Sequence, residues 1–129
     1  MLLDCDVCIM GTPWRVCVAP MKTDKRLDDC DGFTDKTSKL IMVEDCRQKS
    51  NLDHPLFYMR KVIRHEIIHA FLIESGLDEC MMHRKYGHEE QMVDWFAHQF
   101  HKIRNVVENC EALLEKAITD ENDAKDVFA

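Results

Sequence analysis

The sequence predicts an α+β protein: a small, mostly antiparallel sheet from residues 5–45 packed against two helices. Two observations carry this. Residues 1–52 place Gly11, Pro13, Pro20 and Gly32 between short β-favouring runs, whereas beyond Asp53 the apolar residues recur at steps of three and four. The 129 residues suit one domain, and 46% apolar against 32% charged residues describes a chain that folds around its own core.

Taken in order, Asp6–Met10 is a candidate strand that can form a hairpin with Trp14–Val18, which alternates apolar and polar residues after a Gly-Thr-Pro turn signal. Asp28-Asp29-Cys30-Asp31-Gly32-Phe33-Thr34-Asp35 reads as a solvated, turn-rich loop. It lacks the ligand spacing and the bidentate Glu of an EF-hand calcium site. Lys39–Val43 is the next β-favouring run. Asp53-His54-Pro55 opens a helix expected over 55–75, with an apolar stripe through Met59, Val62, Ile63, Ile67 and Phe71 and a stop at Gly76. Around Ile67–Ile73 this helix is apolar over most of its circumference, which predicts burial. A second helix is expected over 88–118 from the spacing of Met92, Phe96, Phe100, Ile103, Val107, Cys110, Leu114 and Ala117. The domain is therefore read as residues 1–118, followed by an acid-rich tail, 119–129, expected to fray.

The balance of 17 basic against 24 acidic residues gives a formal charge of −7. Binding to nucleic acid or to an anionic membrane needs a Lys/Arg-rich face, so neither is expected as a partner. No run of ~18 apolar residues offers a membrane span. Acids stand at Asp4 and Asp6, where a secretory signal would carry positive residues, so a cytoplasmic protein with reduced thiols is expected.

His65-Glu66-Ile67-Ile68-His69 is the motif that carries chemistry. Residues four apart on a helix lie one turn above each other, so two imidazoles can reach one ion with Glu66 beside it. Two neutral ring nitrogens and a third protein ligand suit Zn²⁺ and leave a position for water, whose proton Glu66 can accept as general base. Two His in an otherwise apolar helix also argue for a shared ion, because an unpartnered buried ring costs free energy. The third ligand must come from elsewhere. Glu90 is the leading candidate, with Asp94 four residues on to accept a ring N–H from a ligand His. Glu89, His88 and His83 are the alternatives, and a purely structural reading makes Glu89 and Glu90 first-turn acids that favour the helix dipole.

His65–His69, followed by Glu90 and Asp94 in a Glu-x-x-x-Asp arrangement, resembles the gluzincin branch of the zincin metallopeptidases. Glu90–Ala97, with its Glu-x-x-Val-Asp-x-Phe-Ala pattern, is similar to the corresponding stretch of the small ImmA/IrrE-type proteins, and His65–Leu77 resembles small zincin-like proteins of phages and prophages. The resemblance covers residues 55–104. It implies a minimal zincin-like fold, one catalytic Zn²⁺ on His65, His69 and Glu90, Glu66 as catalytic base, Asp94 behind a ligand His, and hydrolysis of peptide bonds in a protein substrate. It also implies a sheet edge that holds an extended substrate, for which Lys39–Val43 is the expected strand. A phage-encoded protein would work in the host cytoplasm. The alternative is a zinc-containing binding or regulatory protein that occupies a host or defence protein without cutting it. Larger gluzincins stabilise the oxyanion from an extra domain that 129 residues cannot house. His83, Tyr86, His88 and His101 are the candidates here.

Seven cysteines complete the inventory. Cys5-x-x-Cys8 with Cys80-x-x-His83 offers a Cys₃His set for a structural zinc, but the wide separation of the two pairs makes free thiols the simpler expectation.

Overall fold

A computed structural model describes residues 1–77 and 90–128. Strands β1 (Leu3–Ile9) and β2 (Thr12–Ala19) form an antiparallel hairpin in which Ile9 faces Thr12. Only Met10 and Gly11 turn the chain, both at positive φ (51° and 87°). A two-residue turn of this kind matches the twist of its strands, at a cost for a side chain as bulky as Met.

After a 3₁₀ turn at Lys25–Leu27, held by the Asp24 carboxylate accepting from the Arg26 N–H, come β3 (Gly32–Asp35) and β4 (Leu40–Glu44). The strand order is β1-β2-β4-β3, with β2–β4 parallel and the other two pairings antiparallel. The sheet is thus mixed. Strand β3 falls inside the stretch expected to be a loop, because its Asp-rich flanks hide a Phe-Thr pair that fits an edge. It is β3 that forms this edge of the sheet; the Lys39–Val43 run lies inside it. The physical reason is legible: Ile41, Met42 and Val43 are all buried, and a strand covered on both faces reads as an unbroken apolar run.

Helix α1 (Pro55–Glu74) begins at its expected Pro and lays Met59, Val62, Ile63, Glu66, Ile67, Ala70 and Phe71 on the sheet. Helix α2 (Glu90–Phe128) contributes Ile103, Val106, Val107, Cys110 and Leu114 to the same core, against Leu3, Ile9, Trp14, Val16, Val18, Ile41 and Val43. A smaller cluster of Cys17, Ala19, Leu27 and Met42 seals the far face. The expected end at 118 is corrected: residues 119–128 continue the helix. This segment has no Gly or Pro, Ile118 packs on the core, and Glu121 pairs with Arg47 at 3.1 Å and with Lys125 one turn on. Among the described residues no helix is long and apolar enough to cross a membrane.

Two ion pairs set the helices against each other. Arg60 meets Glu115 at 2.8 Å and Arg64 meets Glu111 at 3.0 Å, so four residues forward on α1 correspond to four back on α2. The helices are antiparallel. The far end of α1 is clamped by Glu74, whose carboxylate accepts from Trp14 Nε1 (2.8 Å), Thr12 Oγ1 (3.0 Å) and Lys39 Nζ (2.9 Å). Burial alone would raise this carboxyl, and the three donors outweigh it and hold Glu74 below its ordinary value of 4.5.

Two expectations follow. A carboxylate with a depressed pKa adds stability that is present above its unfolded pKa and lost as pH falls through the folded one. Urea titrations at successive pH values should therefore show the protein weakening below about pH 5, and Glu74→Gln should flatten that slope while costing ~1–3 kcal/mol at pH 7. Met10→Asn, at an exposed turn that favours Asn, should raise stability by several tenths to ~1 kcal/mol in the same assay.

Candidate metal and cleft site

The two histidines stand one turn apart on α1, and their Nε2 atoms are 3.1 Å apart. The rings meet edge to face, with centroids 4.8 Å apart and planes at 69°. One Nε2 donates and the other accepts. Two nitrogens at this separation can each lie ~2.0–2.1 Å from a single ion with an N–metal–N angle of about 100°, close to tetrahedral. The pair therefore fits half of a zinc site. Both rings are exposed, which corrects the premise that burial forces them to share an ion. They sit on the rim of α1, and the apolar stripe runs beneath them.

Glu66 turns the other way. It is only 6% exposed and lies on the core-facing stripe, and Thr34 Oγ1 sits 2.6 Å from its Oε2 and 3.1 Å from its backbone carbonyl. The single hydroxyl proton goes to the carboxylate, the stronger acceptor. What brings Thr34 there is Gly32, two residues back on the same face of β3. A Cβ at Gly32 would meet Val62 Cγ1 at 2.8 Å, the Met42 carbonyl oxygen at 3.2 Å and Glu66 Cγ at 3.3 Å. Only a residue without a side chain lets β3 sit this close to α1.

Between β3 and α1 opens a cleft of about 710 Å³, lined by Thr34, Glu66, His69 and Ile73 and by Phe33 and Arg26 at its outer side. Arg26 lies 4.2 Å over the Phe33 ring and pairs with Asp24 (2.8 Å) and Asp35 (3.1 Å), so the cleft's outer wall is a braced cation. Thr34, Gly32 and Arg26 escaped the sequence reading. Gly32 and Thr34 belong to the stretch that reads as a loop, Arg26 lies in the 3₁₀ turn just before it, and Thr34 matters only through a partner 32 residues away.

Glu90 and Asp94 lie on the first two turns of α2, and their side chains are outside the described residues, as are Glu89, His88, Tyr86 and His83. As one continuous helix, α2 carries Glu90 21 residues before Glu111, the partner of Arg64 beside His65. That is roughly 30 Å of helix axis, and roughly 25 Å for Asp94. Among the described residues no group of three His, Cys, Asp or Glu converges as a metal site. His101 is exposed on α2 against Phe100 and does not line the cleft. Cys5 and Cys8, three apart on β1, point to opposite faces and cannot share an ion; Cys80 lies outside the described residues.

Gly32→Ala tests the close approach directly. The Met42 carbonyl cannot yield as a flexible side chain would, so the substitution should cost ~1–3 kcal/mol in chemical denaturation.

Comparison with protein-family models, with curated proteins and with solved structures finds no match for this chain, so the likeness to gluzincins rests on the motif residues themselves.

Proposed function

We propose that the protein is a zinc-dependent metallopeptidase acting on a protein substrate, of the small gluzincin type and regulatory in a phage or prophage setting. The observation that carries this reading is the convergence of His65 and His69 Nε2 at 3.1 Å one turn apart on α1, with His69 and the buried Glu66 both lining the cleft against β3. A Zn²⁺ held there would supply a polarised carbonyl and a water acidified to a pKa of ~7. The chain's own residues do the rest. The outer N–H and C=O groups of β3 hold an extended peptide in β-augmentation and present it to α1. Glu66 accepts the proton of the attacking water and returns it to the leaving amine, and the Thr34 hydroxyl steadies its carboxylate. Glu90 completes the ligand set and Asp94 orients a ligand His. For this the first turns of α2 must come back toward His69.

The axial distance from Glu90 to the histidine pair favours a second reading. Here His65 and His69 hold zinc without Glu90, the site stabilises or presents the fold, and the protein binds a host or defence protein without cutting it.

One pair of variants separates the two. In the metallopeptidase, Glu66→Gln keeps one equivalent of zinc and the native melting temperature. It lowers turnover ~10²–10⁴-fold, counted as new N-termini generated in a host proteome digest. Glu90→Gln weakens zinc affinity by more than ~10-fold. Proteolysis undiminished in Glu66→Gln removes the mechanism, and zinc affinity undiminished in Glu90→Gln removes the third ligand and leaves the second reading.

A further inference from the structure

Alternation along β1 turns Leu3, Cys5, Val7 and Ile9 toward the helices and leaves Asp4, Asp6 and Cys8 outside. On α2, Cys110 is fully buried in the stripe that meets β1. Cys5 and Cys110 pack in one core cluster across this strand–helix interface, where each thiol shifts the ionisation of the other. The other described cysteines are engaged elsewhere or point to solvent. Cys17 Sγ faces Asp4 at 3.6 Å, Cys46 donates to the Pro55 carbonyl, Cys30 to the Arg26 carbonyl, and Cys8 is exposed.

The two sulfurs are not equivalent. The neighbouring Cys110 thiol holds the Cys5 thiol below its ordinary value against the opposing effects of partial burial, Asp6 and Asp4. The neighbouring Cys5, together with burial, pushes Cys110 up. Cys5 is also the partly exposed member of the pair. One thiol is thus suited to meet an oxidant and the other stands behind it.

We propose that Cys5 and Cys110 form a peroxide-oxidisable dithiol that closes to a disulfide and staples strand β1 to helix α2. The Cys5 thiolate attacks one oxygen of hydrogen peroxide, the O–O bond breaks, and the departing hydroxide takes up the thiol's proton as water, leaving a sulfenic acid on Cys5. The Cys110 sulfur then attacks Cys5 Sγ, the S–O bond breaks, and the hydroxyl leaves with the Cys110 proton as a second water. Two thiols and one peroxide become one disulfide and two waters, and two electrons pass from sulfur to oxygen. The cross-link closes a loop of about 100 residues, nearly the whole chain, which is the case where constraint of the unfolded state is largest. A dithiol reductant reverses it. None of this depends on the metal site.

The test uses the full reduced chain with a slight excess of hydrogen peroxide, followed by alkylation of the remaining thiols. The expected product carries two fewer alkyl groups, yields one reducible peptide joining Cys5 to Cys110, and melts roughly 5–15 °C higher than the reduced protein. Cys8→Ser should leave all three results intact, and Cys5→Ser should abolish the linked peptide and the melting shift. Cys110→Ala, checked for native circular dichroism, should leave Cys5 to accumulate as a trappable sulfenic acid. A Cys5–Cys110 peptide that is absent, or that forms no faster in the folded chain than in urea, overturns the proposal. So does a melting shift that survives in Cys5→Ser.

Discussion

The approach of strand β3 to helix α1 is the contact on which the cleft depends, and it is set by a missing side chain. Gly32 lies where a methyl group would press on Val62, on the Met42 carbonyl and on Glu66. Because nothing stands there, β3 packs against the helix, and the next residue on the same face, Thr34, reaches the Glu66 carboxylate. Phe33 and Asp35, on the opposite face, are left to organise Arg26. One four-residue strand thereby shapes both walls of the cleft: the wall that carries Glu66 and the wall that carries a braced cation. Among the described residues its outer edge has no neighbouring strand. Its shortness and its closing Asp are the usual protection of such an edge against unwanted pairing.

How far the sequence disclosed this fold depends on the type of signal. Helix α1 was legible almost to the residue, because Pro55 and Gly76 punctuate it and its stripe is regular. The hairpin was legible from Gly11 between two β-favouring runs. Strand β3 was not. Four residues with a Gly at one end and Asp at the other carry too little apolar pattern, and what makes them a strand is the long-range pairing of Gly32 with Val43 and of Thr34 with Ile41. The position of β4 was readable in principle, since Leu-Ile-Met-Val without a polar break is the pattern of a strand covered on both faces. The full length of α2 is hidden from the sequence for a similar reason. Its last turns hold through a tertiary ion pair with Arg47, which composition cannot reveal.

At the site, helical geometry brings together what spacing predicts, and only that. His65 and His69 converge because four residues make one turn, and no tertiary information is needed. The link from this pair to Glu90 is of another kind, since it requires knowing how two helices lie along one another. The ion pairs Arg60–Glu115 and Arg64–Glu111 set that register, and they draw the middle of α2 to the level of the histidines. The start of α2 then projects beyond α1. Sequence separation alone could not distinguish this register from one in which the two helices begin and end together.

The strongest argument that the motif is more than a helical coincidence lies in the residue between the histidines. Met59, Val62, Ile63, Ile67, Ala70 and Phe71 form the buried stripe of α1, and Glu66 sits on that stripe at 6% exposure. A helix whose task was only to cover a sheet would carry a Leu or Met there, because a buried carboxylate costs desolvation free energy that one hydroxyl hydrogen bond offsets in part. The chain instead keeps a carboxylate in the core, where packing alone would select an apolar side chain. Local violations of the binary pattern of this kind concentrate where a side chain serves chemistry at the expense of stability. Here the violation falls on the one position where the proposed hydrolysis requires a base.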